Sequence, residues 1–160
     1  MQIDKSNHEV MTRKFATIGA DATLKETYAA IKQNLEGPPH SPGLVVIDDA
    51  GQYAGVLTVD DFMKELSRLH SAACDKPGKA EWLASFFSKC ELIPFKKVSE
   101  IMSGKHLSVQ VGDSFEKSCE LLLHKQAHLL VVVDDEGKPV GIITRRQVLE
   151  EVAPRMFEKR

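Results

Sequence analysis

Val45-Val46-Ile47-Asp48-Asp49-Ala50-Gly51, followed by Gly55-Val56-Leu57-Thr58, occurs twice in this chain. The second copy is Val131-Val132-Val133-Asp134-Asp135-Glu136-Gly137, followed by Gly141-Ile142-Ile143-Thr144, and every position lies 86 residues after its counterpart. Each copy is two short apolar runs joined by Asp-Asp-x-Gly. That is the pattern of a β-hairpin whose glycine supplies the positive φ of a tight turn. The repetition continues upstream, where Val10-Met11-Thr12 matches Ile101-Met102-Ser103 and Thr23-Leu24 matches Ser114-Phe115, now at an offset of 91. The difference puts five extra residues in the first copy, around Gly37-Pro38-Pro39-His40-Ser41-Pro42-Gly43. Three prolines and two glycines there cannot continue a helix, so the insertion is a loop.

Around the hairpins both copies predict the same elements. Phe15-Ala16-Thr17-Ile18 and His106-Leu107-Ser108-Val109 are expected as short strands. A helix follows each. In the first, Thr23 and Glu26 fit a capping box and Leu24, Tyr28, Ile31 and Leu35 form one apolar stripe; in the second, Ser114 caps and Phe115, Cys119, Leu122 and Leu123 form the stripe. A last helix closes each copy, with Phe62, Met63, Leu66 and Leu69 in the first and Val148, Leu149, Val152 and Met156 in the second as its apolar positions. The order is β-α-β-β-α, twice: an α/β (α+β) fold, with repeat 1 over 8–67, a connector over 68–97 and repeat 2 over 98–154. A unit of roughly 55 residues buries little surface alone, so the two sheets are expected to pack on each other across a pseudo-two-fold axis. Within the connector, Cys74-Asp75-Lys76-Pro77-Gly78-Lys79 is a break, and Trp82, Leu83, Phe86, Phe87 and Cys90 fall on one helical face. That face suits first a helix packed on the core, next a contact surface for a partner or second subunit, and least a membrane-surface helix, because its polar side lacks a strong basic excess.

Composition narrows the function. The 160 residues carry 21 Lys and Arg against 23 Asp and Glu, a net charge of −2 that does not suit a nucleic-acid binder. No apolar run approaches the roughly 20 residues of a membrane span, and the amino terminus lacks the apolar stretch of a secretory signal. Three cysteines without a C-x-x-C read as reduced thiols of a cytoplasmic protein, Cys119 as a core thiol. No nucleophile elbow, phosphate-cradling glycine loop or dinucleotide-binding glycine pattern is present, and Asp48-Asp49 and Asp134-Asp135 are turn residues rather than a catalytic dyad. His124 and His128 are four apart, but the helix is expected to end near Gln126, so they are not a helical metal pair. No enzyme activity and no metal site are expected.

Gly55-Val56-Leu57-Thr58-Val59-Asp60-Asp61 and Gly141-Ile142-Ile143-Thr144-Arg145-Arg146-Gln147 resemble the end of the cystathionine-β-synthase (CBS) motif, a strand ending in G-h-h-T-x-x-D that runs into the last helix. The Asp-Asp-x-Gly hairpin and the I-M-[ST] segment are similar to that family too, over roughly residues 10–66 and 98–152. The resemblance implies a tandem (Bateman) module that binds an adenosine derivative, such as AMP, ADP, ATP or S-adenosylmethionine, with or without Mg²⁺, between its repeats. Carried over by position, the main site comprises Thr58 and Asp61 facing Leu107, His128, Leu129 and Val131, with Arg146 reaching for phosphates. The second comprises Thr144 and Gln147 facing Ala16, Thr17, Gly43 and Val45. Gln147 replaces the carboxylate that would grip a ribose diol, so one good site and one weakened or altered site are expected.

T-x-x-D also has a purely structural reading, because Thr58 and Asp61 make an ordinary helix capping box. Two functions therefore stand side by side: a ligand-sensing regulatory module, favoured by Asp61, and an interaction scaffold with vestigial clefts, favoured by Gln147. With nothing beyond the repeats to regulate in cis, the output is expected to pass to another protein. A homodimer is expected through the helices whose apolar stripes end at Leu69 and Met156.

Overall fold

The computed structural model of the chain describes residues 5–36, 43–73, 78–104, 108–124 and 127–158. Along the chain run α1 (Asn7–Val10), β1 (Thr17–Gly19), α2 (Tyr28–Glu36), β2 (Gly43–Ile47), β3 (Tyr53–Thr58), α3 (Val59–Ala73) and α4 (Lys79–Cys90). A 3-10 turn (Ile93–Phe95) leads to α5 (Val98–Ile101), β4 (Ser108–Gln110), α6 (Phe115–His124), β5 (Leu129–Val133), β6 (Pro139–Thr144) and α7 (Arg145–Phe157). The strands make two three-stranded mixed sheets, β1-β2-β3 and β4-β5-β6, each with a parallel first pair and an antiparallel hairpin.

The hairpins are built alike. Asp48 Oδ1 accepts the N–H groups of Ala50 and Gln52 at 2.9 and 3.0 Å, and Asp134 Oδ1 accepts those of Glu136 and Lys138 at the same two distances. Gly51 and Gly137 follow at φ 79° and 81°, a backbone region that costs a side-chain-bearing residue energy. The turn tips touch, Tyr53 N–H donating to Gly137 O at 2.9 Å and Gln52 Nε2 to Glu136 O at 2.8 Å.

Side chains alternate across the strands and sort the interior into three cores. Leu44, Val46 and Leu57 face the helices of their own half, with Ile18 and Leu24. Leu130, Val132 and Ile143 do the same in the other half, with Phe115, Cys119, Leu122 and Val148. The opposite sheet faces meet: Val45, Tyr53 and Val56 pack against Leu129, Val131, Val133 and Ile142.

Short segments are exchanged between the halves. α1, early in the chain, docks on the second sheet: Asn7 N–H donates to Asp113 O at 2.9 Å, and Thr12 bridges Ile142. α5 docks on the first: Val98 N–H donates to Ala22 O at 2.9 Å, and Ser103 bridges Val56. Ser6–Ser114 and Thr23–Lys97 complete the symmetric set of bridges. The crossings explain two glycines of the repeat. A Cβ on Gly55 would lie 2.5 Å from Ser103 O, and one on Gly141 would lie 2.5 Å from Met11 Sδ.

Several expectations need correction at the helices. Thr23 and Glu26 do exchange capping-box hydrogen bonds, but α2 begins only at Tyr28, which is 60% exposed rather than on the core stripe. Leu123 is 68% exposed, and Met63 and Leu149 are exposed as well. Each half meets the core through a narrow stripe, and these residues sit at its outer edge. The first strand starts at Thr17, two residues later than expected. Leu35 (as a side chain), the loop 37–42, Cys74 and His106 lie outside the described residues. The connector helix α4 buries none of its residues fully and packs on α3 through Trp82, which meets His70 edge-on at 4.8 Å and stacks on Phe86 at 6.0 Å. Leu83 and Phe87 point outward.

The exchanged segments are anchored differently. Fully buried Asn7 donates through Nδ2 to Gln110 O at 2.8 Å and accepts the Ser118 hydroxyl at 2.6 Å, whereas Val98, 91 positions later, sits in apolar surroundings. Asn7→Ala is expected to cost about 1–3 kcal/mol in denaturant unfolding, because it strands buried polar groups; Asn7→Val with Ser118→Ala should cost less than Asn7→Val alone. Glu65 of α3, with a side chain 13% exposed, accepts Arg68 at 2.6 Å and Lys96 at 2.8 Å. Those hydrogen bonds, Arg68's first, lower its pKa from 4.5 to about 2. A depressed folded-state pKa contributes stability above the unfolded value that is lost as pH falls through the folded one. Glu65→Gln should therefore unfold more easily than the parent at pH 6, with the difference closing between about pH 4.5 and 2 in a pH series of thermal melts.

Candidate functional site

The chain turns from β3 into α3 at Thr58, and the first turn of a helix leaves N–H groups without helical partners. Thr58 and Asp61 satisfy two of these reciprocally: Thr58 N–H donates to Asp61 Oδ2 at 2.8 Å, Thr58 Oγ1 donates to the same oxygen at 3.0 Å, and Asp61 N–H donates back to Thr58 Oγ1 at 3.3 Å. The other carboxylate oxygen, Oδ1, accepts the hydroxyl of Ser103 on the exchanged segment. Asp61 is only 4% exposed. The capping reading is thus realised in full, and the carboxylate is committed within the protein on both oxygens.

The second half of the chain forms the facing wall. His128 Nε2 lies 3.2 Å from Asp60 Oδ2, both side chains exposed, so the start of β5 meets the start of α3. Leu129 and Val131 are buried in the core between the sheets, beside Val45 and Val56. Strand alternation turns Thr58 toward that same inter-sheet side. A polar helix start from one half and an imidazole from the other therefore meet beside the buried inter-sheet core. Leu107 lies outside the described residues.

The counterpart at α7 is built from other chemistry. Thr144 N–H donates to Gln147 Oε1 at 2.6 Å and its hydroxyl donates to the same atom, so the amide oxygen reproduces the cap without a charge. Arg145 and Arg146 stand where the first half has Val59 and Asp60. Arg145 Nε donates to Ala127 O at 3.1 Å; Arg146 pairs with Glu150 at 3.0 Å. Arg146 thus lies in the first turn of α7, the helix that Thr144 caps, at the position that corresponds to Asp60 in the first half. Gly43 lies across from Thr58 in its own sheet as Leu129 lies across from Thr144. A Cβ there would come within 2.8 Å of Val56 Cγ1. Val45 is in the inter-sheet core, Thr17 is its exposed partner at the start of β1, and Ala16 O accepts Val45 N–H at 3.1 Å.

Two residues of the first cleft were not singled out from the sequence. Ser103 belongs to the I-M-[ST] segment that marks the repeat, but its meeting with Asp61 spans 42 positions and depends on the exchange. Asp60 meets His128 across 68 positions. A local pattern carries neither contact. Among the described residues no group of His, Cys, Asp and Glu is arranged to hold a metal ion, and no helix is long and apolar enough to cross a membrane. Cys119 is a buried free thiol whose pKa is raised, first by its burial.

Known proteins share this architecture. The crystal structure of CBSX2 in complex with AMP is similar with a TM-score of 0.66 and 23% identity, over 94% of this chain and 98% of that one. The cytosolic domain of the Mg²⁺ channel MgtE in complex with ATP gives a TM-score of 0.63 and 22% identity, over 89% and 46%. A CBS domain-containing protein from Bacillus anthracis gives 0.71 and 16%, over 95% of each chain. At this identity the likeness is one of fold. In sequence, uncharacterized protein MJ1404 of Methanocaldococcus jannaschii is 26% identical over 107 residues, which span 67% of this chain but 20% of that protein. The model of the CBS domain matches residues 8–68 and again 98–154, most of the sequence, and the chain belongs to the CBS domain family as a tandem pair.

Proposed function

We propose that the chain is a regulatory module, not an enzyme, that takes an adenosine-containing ligand in the cleft between the α3 start and the β5 start and passes its occupancy to a protein partner. In this reading repeats 8–67 and 98–154, joined by the 68–97 connector, act as one cytoplasmic unit. The observation that carries it is the convergence at the first cleft: Thr58 and Asp61 from one half and His128 from the other, which approaches to 3.2 Å from Asp60. The helix start favours an anion, the carboxylate suits a ribose diol, and the apolar flank suits a purine. AMP or ATP in the similar structures supports the same class of ligand. S-adenosylmethionine also fits the class, with or without Mg²⁺.

A second reading, an interaction scaffold, is favoured by one observation: Asp61 is buried with both oxygens engaged. Ligand binding separates the two. Thermal unfolding against AMP, ADP, ATP, S-adenosylmethionine, NAD and GTP, with and without Mg²⁺, should raise the midpoint for one adenosine compound. At 100 times the dissociation constant the gain is about 2.7 kcal/mol, or about 5–10 °C for a chain of this size. Asp61→Asn should abolish the rise, and Gln147→Ala should leave it. Because Asp61 also caps α3, Asp61→Asn should melt lower than the parent even without ligand. No rise with any compound moves the choice to the scaffold.

A homodimer through the helices belongs to the same proposal, corrected at Leu69, which is buried within the chain and unavailable as a contact, so that the face falls to the helices of the second half. Leu123, Leu149, Met156 and Phe157 are exposed, and Leu122, Leu123, Arg145, Val148, Leu149 and Val152 line a groove of about 380 Å³. Sedimentation equilibrium should return twice the 17.8 kDa chain mass, and Leu149→Glu should shift it toward the monomer.

A further inference from the structure

We propose that the Ser103 hydroxyl is an internal competitor for the Asp61 carboxylate, holding the oxygen that a ribose diol must take and so setting the affinity of the first cleft. The proposal rests on the nucleotide reading and adds to it a residue that determines how tightly the cleft binds.

The geometry argues it in three steps. First, both oxygens of the carboxylate are engaged. Oδ2 holds the backbone and hydroxyl donors of Thr58, and Oδ1 holds Ser103. The Thr58 donors come from the residue that caps α3, so giving them up would unpair the helix start. Ser103 is the donor that can leave at small structural cost, and Asp61, at 4% exposed, has little open surface on which to seat another.

Second, Ser103 can release Asp61 without releasing its backbone. Its N–H donates to Val56 O at 3.0 Å and its carbonyl accepts Val56 N–H at 3.2 Å, and neither bond involves the side chain. A rotation about χ1 to another staggered position moves the hydroxyl off the carboxylate while the exchanged segment stays on β3. No proton changes hands: only the identity of the carboxylate's hydroxyl donor changes.

Third, the other cleft lacks the device. Thr12 occupies the position 91 residues before Ser103, and its Oγ1 accepts the N–H of Lys14 at 3.2 Å. Gln147 Oε1 takes both donors of Thr144. The competitor is therefore confined to the cleft that retains its carboxylate, where a hydroxyl of the protein mimics a hydroxyl of the ligand.

The test is isothermal titration of AMP, and in parallel ATP, into the full chain, its Ser103→Ala and Ser103→Thr variants, and Asp61→Asn. Ser103→Ala should bind about tenfold tighter than the parent, equivalent to about 1.4 kcal/mol, because no internal donor has to be displaced. Ser103→Thr, which keeps a hydroxyl, should stay within about threefold of the parent, and thermal melts of both variants confirm that they are folded. Binding to Ser103→Ala alone, with none measurable for the parent, supports the proposal at its strongest. Equal or weaker binding by Ser103→Ala, with the parent binding normally, overturns the competitor and leaves the nucleotide reading intact. If neither the parent nor Ser103→Ala binds either nucleotide, the nucleotide reading falls and the competitor falls with it.

Discussion

The structure depends on two close crossings, where the segment at Met102-Ser103 lies on Gly55 and the segment at Met11-Thr12 lies on Gly141. Each crossing brings a stretch of one half within bonding distance of the outer strand of the other, and the Val56–Ser103 and Thr12–Ile142 bridges follow. A three-stranded sheet is left with two exposed edges and one bare face. The inter-sheet core covers the face, and the crossings satisfy backbone groups at the β3 and β6 edges. Neither half is complete without residues from the other, despite the repeated sequence.

The same crossing gives the first cleft its character. Asp61 caps α3 by bonds that any capping acid could make, and the exchanged Ser103 then occupies the oxygen that capping leaves over. Helix start, segment exchange and candidate binding group thus share one carboxylate. At α7 an uncharged amide does the capping and two arginines flank it, so two clefts related by repetition differ in charge at equivalent positions. The two copies differ at the helix starts and agree at the hairpins.

Much of this was legible in the chain itself. The Asp-Asp-x-Gly turns, the positive-φ glycines and the doubled β-α-β-β-α order are local features, and local hydrogen bonds realise them. The three cores follow from alternation along β2, β3, β5 and β6. What escaped was contact between segments far apart in sequence. The I-M-[ST] segment was visible as a repeated motif, but its docking on the opposite sheet is a property of topology. With it went Ser103 beside Asp61 and the pairing of Asp60 with His128, whose side of the site the family resemblance had implied. Tyr28 and Leu123 were misassigned because helical periodicity gives the direction of an apolar face but not how far around the helix the core reaches.

The exchanged segments also bear on the order in which the protein can be made. A ribosome delivers the chain from its amino terminus, and units generally fold as they emerge. Here the sheet of Thr17–Thr58 cannot receive its α5 segment until residue 103 has appeared, and α1 finds its receiving surface only when β6 is complete at residue 144. Folding of this doubled sequence therefore closes only once both repeats have emerged, rather than one repeat at a time.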